Sequence, residues 1–320
     1  MGEAEARRLR ARTRFLVSLS IASLAAASGA ARAQDVTRDP TARRGEVEFT
    51  YQRSEEQNLD TTNIGTIPSK LLTTQSLDFN VRYALKERWT IEGGLPLISR
   101  KWGGSGKLPD DPAGYNHDPR NFVPPHNEAT FTDDGSYHTY FQDWRIGGRY
   151  LLMRDPVIIE PYLMIGLPAT DYPFLGSAAP GEHVRRQEIG STIAYRPPFL
   201  NWFFSVEIGY QYVEKTLGVN KDATRVDAEI VYFVNPKIAV KLFASSKNGH
   251  GIPPPPPDLT SDIWYHHDQL LRHNYINAGL GADWSLSTRN VVNVSWIQMV
   301  HAEDIFQLRG AFSLSLSRGF

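Results

Sequence analysis

From Phe306 to Phe320, apolar and polar residues take turns along the chain. Even positions carry Phe306, Leu308, Gly310, Phe312, Leu314, Leu316, Arg318 and Phe320, and odd positions carry Gln307, Arg309, Ala311, Ser313, Ser315, Ser317 and Gly319. Successive side chains of a strand point to opposite faces, so this segment predicts a β-strand with one face for lipid and one for water. It exceeds the ~5–6 residues of an ordinary strand and the ~9–11 that cross a bilayer when tilted. The same period recurs in Leu77 to Tyr83, Trp202 to Tyr212, Arg225 to Tyr232 and Ile238 to Ser245. It predicts strands at 45–53, 74–84, 88–98, 137–152, 157–167, 185–196, 201–214, 223–234, 237–246, 273–286, 290–300 and 305–320. A soluble sandwich also alternates, but with shorter strands around an apolar core.

The links between these strands alternate in length. Residues 84–88, 154–156, 197–200, 235–236 and 287–289 are tight turns, whereas 99–136, 168–184 and 247–272 are long and only the outer link near Ala302 is modest. Short periplasmic turns facing long extracellular loops are the signature of outer-membrane barrels. The expected fold class is therefore all-β: a transmembrane antiparallel up-and-down β-barrel of about 12 strands, spanning 45–320. Trp89, Trp144, Tyr150, Tyr195, Trp202, Trp284 and Trp296 fall on the outward faces, many near strand ends, where amphipathic rings favour the lipid–water interface.

Composition adds the address. Arg7, Arg8, Arg10, Arg12 and Arg14 precede the apolar run Phe15 to Ala27, and Ala31-Arg32-Ala33 leads to Gln34. This predicts a secretory signal peptide over 1–33, followed by a periplasmic extension over 34–44. The apolar run is shorter than the ~20 residues of a spanning helix. There are no cysteines, which excludes disulfides and a lipoprotein anchor. A formal net charge of −1 gives no basis for a nucleic-acid partner. The expected location is the outer membrane of a double-membraned bacterium, with outer-membrane lipid and the barrel assembly machinery as partners. Ending on Phe320 resembles the assembly signal of such barrels, although Arg318 stands where an apolar or aromatic residue is usual.

The inward face carries the candidate chemistry. Glu92, Arg145, Arg149, Glu160, Glu207, Arg225, Asp227, Glu229, Lys241, Asp283 and Arg309 are assigned to the lumen, with Glu48, Asp78, Arg82, Asp143, Glu188 and Arg196 beside them. Opposed acidic and basic walls can screen solutes in a hydrated channel or pack a nearly closed interior with ion pairs. At about twelve strands both outcomes are open, and we expect a narrow or partly occluded channel. Tyr162, Phe203, Phe243 and Met164 also point inward, which suits a solute with an apolar part. In the outer loops, Pro253–Pro257 reads as a stiff spacer. His266, His267 and His273, and His117, His126 and His138, match no metal-site spacing and read as solvated, so no metal or cofactor is expected. A surface hydrolase would need a serine beside a histidine on the outer face. Ser191 falls there with no histidine in register, so no catalytic residue is assigned.

Four motifs carry a resemblance. Ile91-Glu92-Gly93-Gly94-Leu95-Pro96-Leu97, Asp143-Trp144-Arg145-Ile146-Gly147-Gly148-Arg149-Tyr150 and Glu160-Pro161-Tyr162-Leu163-Met164-Ile165-Gly166-Leu167-Pro168 follow in that order, and Asn277-Ala278-Gly279-Leu280-Gly281-Ala282-Asp283-Trp284-Ser285-Leu286 leads into the final strand. Together they resemble the outer-membrane family named for the MetA pathway of phenol degradation, related to fatty-acid and aromatic-compound transporter barrels. The resemblance implies a barrel for uptake of small, often aromatic or hydrophobic, compounds and brings no site residues. The long 99–136 loop departs from it as a candidate lid, and 34–44 is too short for the N-terminal plug of the larger transporters.

Overall fold

The structure is a computed structural model that describes residues 44–62, 65–67, 69–103, 132–154, 156–253 and 261–320. The expected signal peptide, nearly all of the 34–44 extension, most of the 99–136 loop and Pro254–Pro257 of the proline run lie outside the described residues. The chain forms β1 (Gly45–Thr61), β2 (Gly65–Ile67), β3 (Leu72–Lys86), β4 (Trp89–Trp102), β5 (His138–Phe141), β6 (Asp143–Tyr150) and β7 (Val157–Pro168). It continues through β8 (Arg186–Tyr195), β9 (Trp202–Val213), β10 (Ala223–Asn235), β11 (Ile238–Gly249), β12 (Asn274–Ser285), β13 (Asn290–Glu303) and β14 (Ile305–Gly319), with short helices α1 (Asp262–Tyr265) and α2 (His267–Leu270) before β12.

Neighbouring strands pair antiparallel, and β14 returns to β1 in register from Glu46↔Gly319 to Asp60↔Ile305. β2 folds back on the outer end of β1, and β5 prolongs β6 along the same partner, β4. The result is a closed barrel of 12 staves. Closure removes the unpaired edges that backbone amides could not tolerate in lipid.

The pleat sorts the side chains as the alternation predicts. Phe49, Leu77, Phe79, Leu163, Ile189, Leu242 and Leu280 are exposed on the outside, while Glu48, Asp78, Glu188, Lys241 and Asp283 between them are buried inside. So extensive an apolar outer surface suits hydrocarbon and not water. Aromatic pairs mark the short-turn end: Trp89 packs on Tyr150 and Trp202 on Tyr232, each with ring centroids 4.8 Å apart. Tyr137, Phe141, Trp144 and Tyr212 stand exposed nearer the loop end.

One stretch inverts. β1 pairs Glu55 with Gly310 and Glu56 with Leu308, so Arg309 has no partner residue and forms a bulge. A bulge flips the faces beyond it. Leu308 and Ala311 therefore both point inward with Phe243 and Ile297, and Phe306 packs inside on Leu72, Trp102 and Ala178. Arg309, expected in the lumen, is exposed on the outside and donates to Gln57 Oε1 at 3.1 Å. Arg196, also expected inside, is exposed at the inner rim over the Phe233 ring.

Candidate functional site in the barrel interior

The interior has three storeys. At the short-turn end, Phe203, Val231, Ala194 and Ala239 form a dry cluster with Ile158 and Phe233 against it. Each sits within two residues of a strand end or on the facing strand, where alternation turns it inward. This cluster is an apolar floor.

Above it the strands project charge. The Arg149 guanidinium meets Glu92 at 2.8 Å and Glu207 at 3.1 Å, and Arg82 reaches Glu92 at 3.5 Å. Thr192 donates to Glu207 at 2.7 Å, and Arg149 stacks 4.4 Å from the Tyr162 ring centre. The Tyr162 hydroxyl donates to Glu188, which also takes Arg225 at 2.8 Å; Arg225 then holds Asp227 at 2.9 Å. Gly190 and Gly209 leave the space that Tyr162 fills: a Cβ on either would come within 2.6 Å of its ring or hydroxyl. Farther round the wall Lys241 faces Asp283 at 3.6 Å, Asn293 donates to Asp283 at 2.6 Å, and Phe243 lies over Gly279. The sequence-predicted Glu92, Arg149, Tyr162, Glu207, Arg225 and Asp227 thus converge in one network, Lys241, Phe243 and Asp283 in a second, and Phe203 joins the floor. Glu229 is buried on the inner face, and Glu160 is half-buried beside Thr192. Buried charges persist only when paired, and these networks meet that condition.

The third storey is built by loops that fold inward. Tyr172, Leu175, Ala178, Ala179 and Val184 of the link after β7 are buried inside the mouth, as are Tyr265, Leu270 and Leu271. Arg100 donates to Ala179 O at 2.9 Å, and Asp133 accepts the Ser177 and Ala178 amides at 3.0 and 2.8 Å. The Tyr172 hydroxyl donates to Asp143, and burial followed by the Asp143 charge pushes that phenol up.

Glu182 is the hub of this storey. Its carboxylate takes Lys221 and Arg186 at 2.9 Å each and lies 3.5 Å from His273. Burial alone would raise its carboxyl, but Lys221, Arg186 and His273 hold it well below the ordinary range. Burial pushes His273 down to about 4, against the opposing pull of Glu182, and also lowers Lys221. His273 and His266, expected as solvated, instead contact Glu182 and Gln269.

Beneath this roof lies a cavity of about 350 Å³ whose wall includes Arg100, Asp143, Arg145, Met164, Arg186, Glu188, Arg225, Lys247, Phe174 and Phe306. Arg186 and Lys247 were missed by the sequence reading although each continues the inward parity of its strand. Nothing in the local pattern announces Glu182. Among the described residues no group of His, Cys, Asp and Glu could hold a metal ion.

No family model and no curated protein matches the chain. Among solved structures it is similar to the COG4313 outer membrane channel from Pseudomonas putida F1, at 12% identity and a TM-score of 0.62, over 87% of this chain and 96% of that one. It also resembles the translocator domain of the autotransporter NalP from Neisseria meningitidis, at 10% identity, TM-score 0.48, over 92% and 96%. A third is the P. putida toluene transporter TodX, at 10% identity, TM-score 0.43, over 90% and 92%. The first likeness establishes the outer-membrane β-barrel fold; the other two are too loose to add to it.

Proposed function

We propose that the protein is a narrow outer-membrane channel for small organic solutes, exported through the signal peptide at 1–33 and working by passive or substrate-biased diffusion. The observation that carries this reading is the cavity of about 350 Å³ enclosed within the barrel, under a roof held by side-chain contacts instead of a strand ladder. Cavities of that size suit one small ligand. The Met164, Phe174 and Phe306 side of its wall favours solutes with an aromatic or hydrophobic part, as does the family resemblance. The P. putida relative of like fold is itself described as a channel, which supports the same reading.

The rival is a closed structural barrel with partner-binding loops. The floor of Phe203, Val231 and Ala239, each at most 2% exposed, speaks for it. Planar-bilayer recording of the purified full chain decides. Discrete conductance steps, altered by aromatic solutes, are expected; silence in the bilayer together with no solute flux into liposomes overturns the channel.

A further inference from the structure

Arg145 and Lys247 differ from the other cations of the interior. Arg100, Arg149, Arg186, Arg225, Lys221 and Lys241 each meet a carboxylate. Arg145 and Lys247 line the cavity, and among the described residues neither is in hydrogen-bond or ion-pair contact; Arg145 feels the Asp78 charge and Lys247 the Glu182 charge only across a longer gap. Their surroundings explain why. Arg145 faces glycines, Gly94 and Gly166, across both of its ladders, so neither directly opposed residue offers a side chain to the guanidinium. Lys247 lies directly opposite Arg225, whose own charge is spent on Glu188 and Asp227.

Like charges directly opposite each other destabilise a sheet, and an enclosed cation with no carboxylate in contact costs free energy. Arg145 and Lys247 are balanced only at a distance, by Asp78 and Glu182, so an anion entering the cavity would give them the close contact that the fold does not. β6 and β11 are five strands apart around the 12 staves, so the two cations reach in from nearly opposite walls. Four of the five lining carboxylates are already engaged by a cation: Glu56 with Arg100 at 3.4 Å, Asp143 with Arg186 at 3.8 Å, Glu182 with Arg186, and Glu188 with Arg225; the fifth, Asp268, lies 3.4 Å from His267. Phe174, Phe306 and Met164 supply apolar wall between the charges.

We propose that this cavity binds a small organic anion with an apolar body, a one-ring or short-chain carboxylate, its charge held between Arg145 and Lys247. The proposal rests on the channel reading and names the solute class. Basic residues are how pores favour anions, and a few convergent polar groups in a mainly apolar pocket are how sites orient small ligands.

Titration calorimetry of the full chain in detergent, with benzoate, hexanoate and benzyl alcohol as probes, tests it. Both carboxylates should bind, and benzyl alcohol, similar in size but neutral, should bind at least about tenfold more weakly. Arg145→Gln and Lys247→Gln should each weaken benzoate by about tenfold and leave benzyl alcohol unchanged. Arg145→Lys, which keeps the charge, should retain most of the affinity and serves as the folding control. Equal binding of benzoate and benzyl alcohol, no benzoate binding, or full benzoate binding by the double Gln variant overturns the site. Conductance without benzoate binding sinks the anion site and spares the channel; charge-dependent benzoate binding without conductance sinks the channel and leaves the site standing.

Discussion

The inner and outer halves of the barrel lumen are both polar, yet they are built by different means. In the inner half every charged side chain hangs from a strand whose height and facing are set by the ladder. Arg149, Glu92 and Glu207 come from β6, β4 and β9 and meet because register places them at one level. In the outer half the key residues hang from loops. Glu182, Lys221 and His273 share no ladder and meet only through their side chains, with His183 and His273 both in the left-handed backbone region at φ of 51° and 53°. Such strain costs roughly 1–3 kcal/mol each, and segments without a ladder open at lower free energy than strands. The difference separates a wall held by ladders from a roof held by loop contacts. Loss of inner contacts should cost stability, and loss of outer contacts should change passage.

The largest effect is expected from Arg149→Ala. It strips the guanidinium from Glu92 and Glu207, both almost fully buried, and breaking a buried pair costs about 3–5 kcal/mol. Denaturant titration of the lipid-folded barrel should show that loss, with single-channel conductance little changed. A large rise in conductance without loss of stability would erase the distinction between the two halves.

Acidification probes the outer half from the opposite side. The folded His273 titrates near 4 instead of 6.5. Between those values the unfolded or opened state binds more protons than the closed state, so closure weakens as pH falls through that window and levels off below it. The shift corresponds to at most about 3 kcal/mol. Glu182, whose carboxyl is held well under 4.5, adds its own loss only as pH falls below about 4.5. Conductance should therefore rise from pH 7 to 4.5, and His273→Gln should flatten that rise. A flat profile in the parent protein would mean that His273 does not hold the roof.

The staves were legible because two faces in contrasting media leave a period of two in the sequence. All twelve strands were found, and with them the inward set Glu92, Arg149, Glu207 and Arg225. Failures lie where that period stops meaning anything. Arg309 was misplaced because a bulge opposite β1 inverts parity there, and the glycine beside it, Gly310, was read as one more outward position of the alternation. Glu182 was missed because loop residues have no parity, and its partners lie on β8, the β9–β10 link and the start of β12. The inward folding of Tyr172 to Val184 was equally hidden, since a loop has no period to show whether a long link waves outward or fills the mouth.

Two smaller substitutions set the halves side by side. Gly209→Ala brings a Cβ to 2.5 Å from the Tyr162 hydroxyl, and overpacking costs about 1–3 kcal/mol. Tyr162→Phe removes the clashing oxygen, so the double variant should recover part of that loss, a coupling that a double-mutant cycle measures directly. Glu182→Gln keeps the shape but drops the charge that Lys221 and Arg186 share, at about 1–2 kcal/mol. Its signature should be longer open times in the bilayer, which Gly209→Ala should not give. Identical gating in both would mean that wall and roof move together.

Asp133→Ala carries the smallest expected effect and tests how far the roof depends on its outer strap. The Asp133 carboxylate is fully buried and accepts the Ser177 and Ala178 amides, and Thr132 adds a backbone bond to Leu175 O at 3.0 Å. Removing the carboxylate leaves two enclosed amides to find water, worth about 1 kcal/mol locally. Because the contact is loop to loop, the denaturation midpoint of the barrel should stay put. Hydrogen exchange at Ser177 and Ala178 should quicken about fivefold for that energy, with the amides of β8 and β9 unaffected. Equal acceleration in those strands would show that the strap braces the wall as well as the roof.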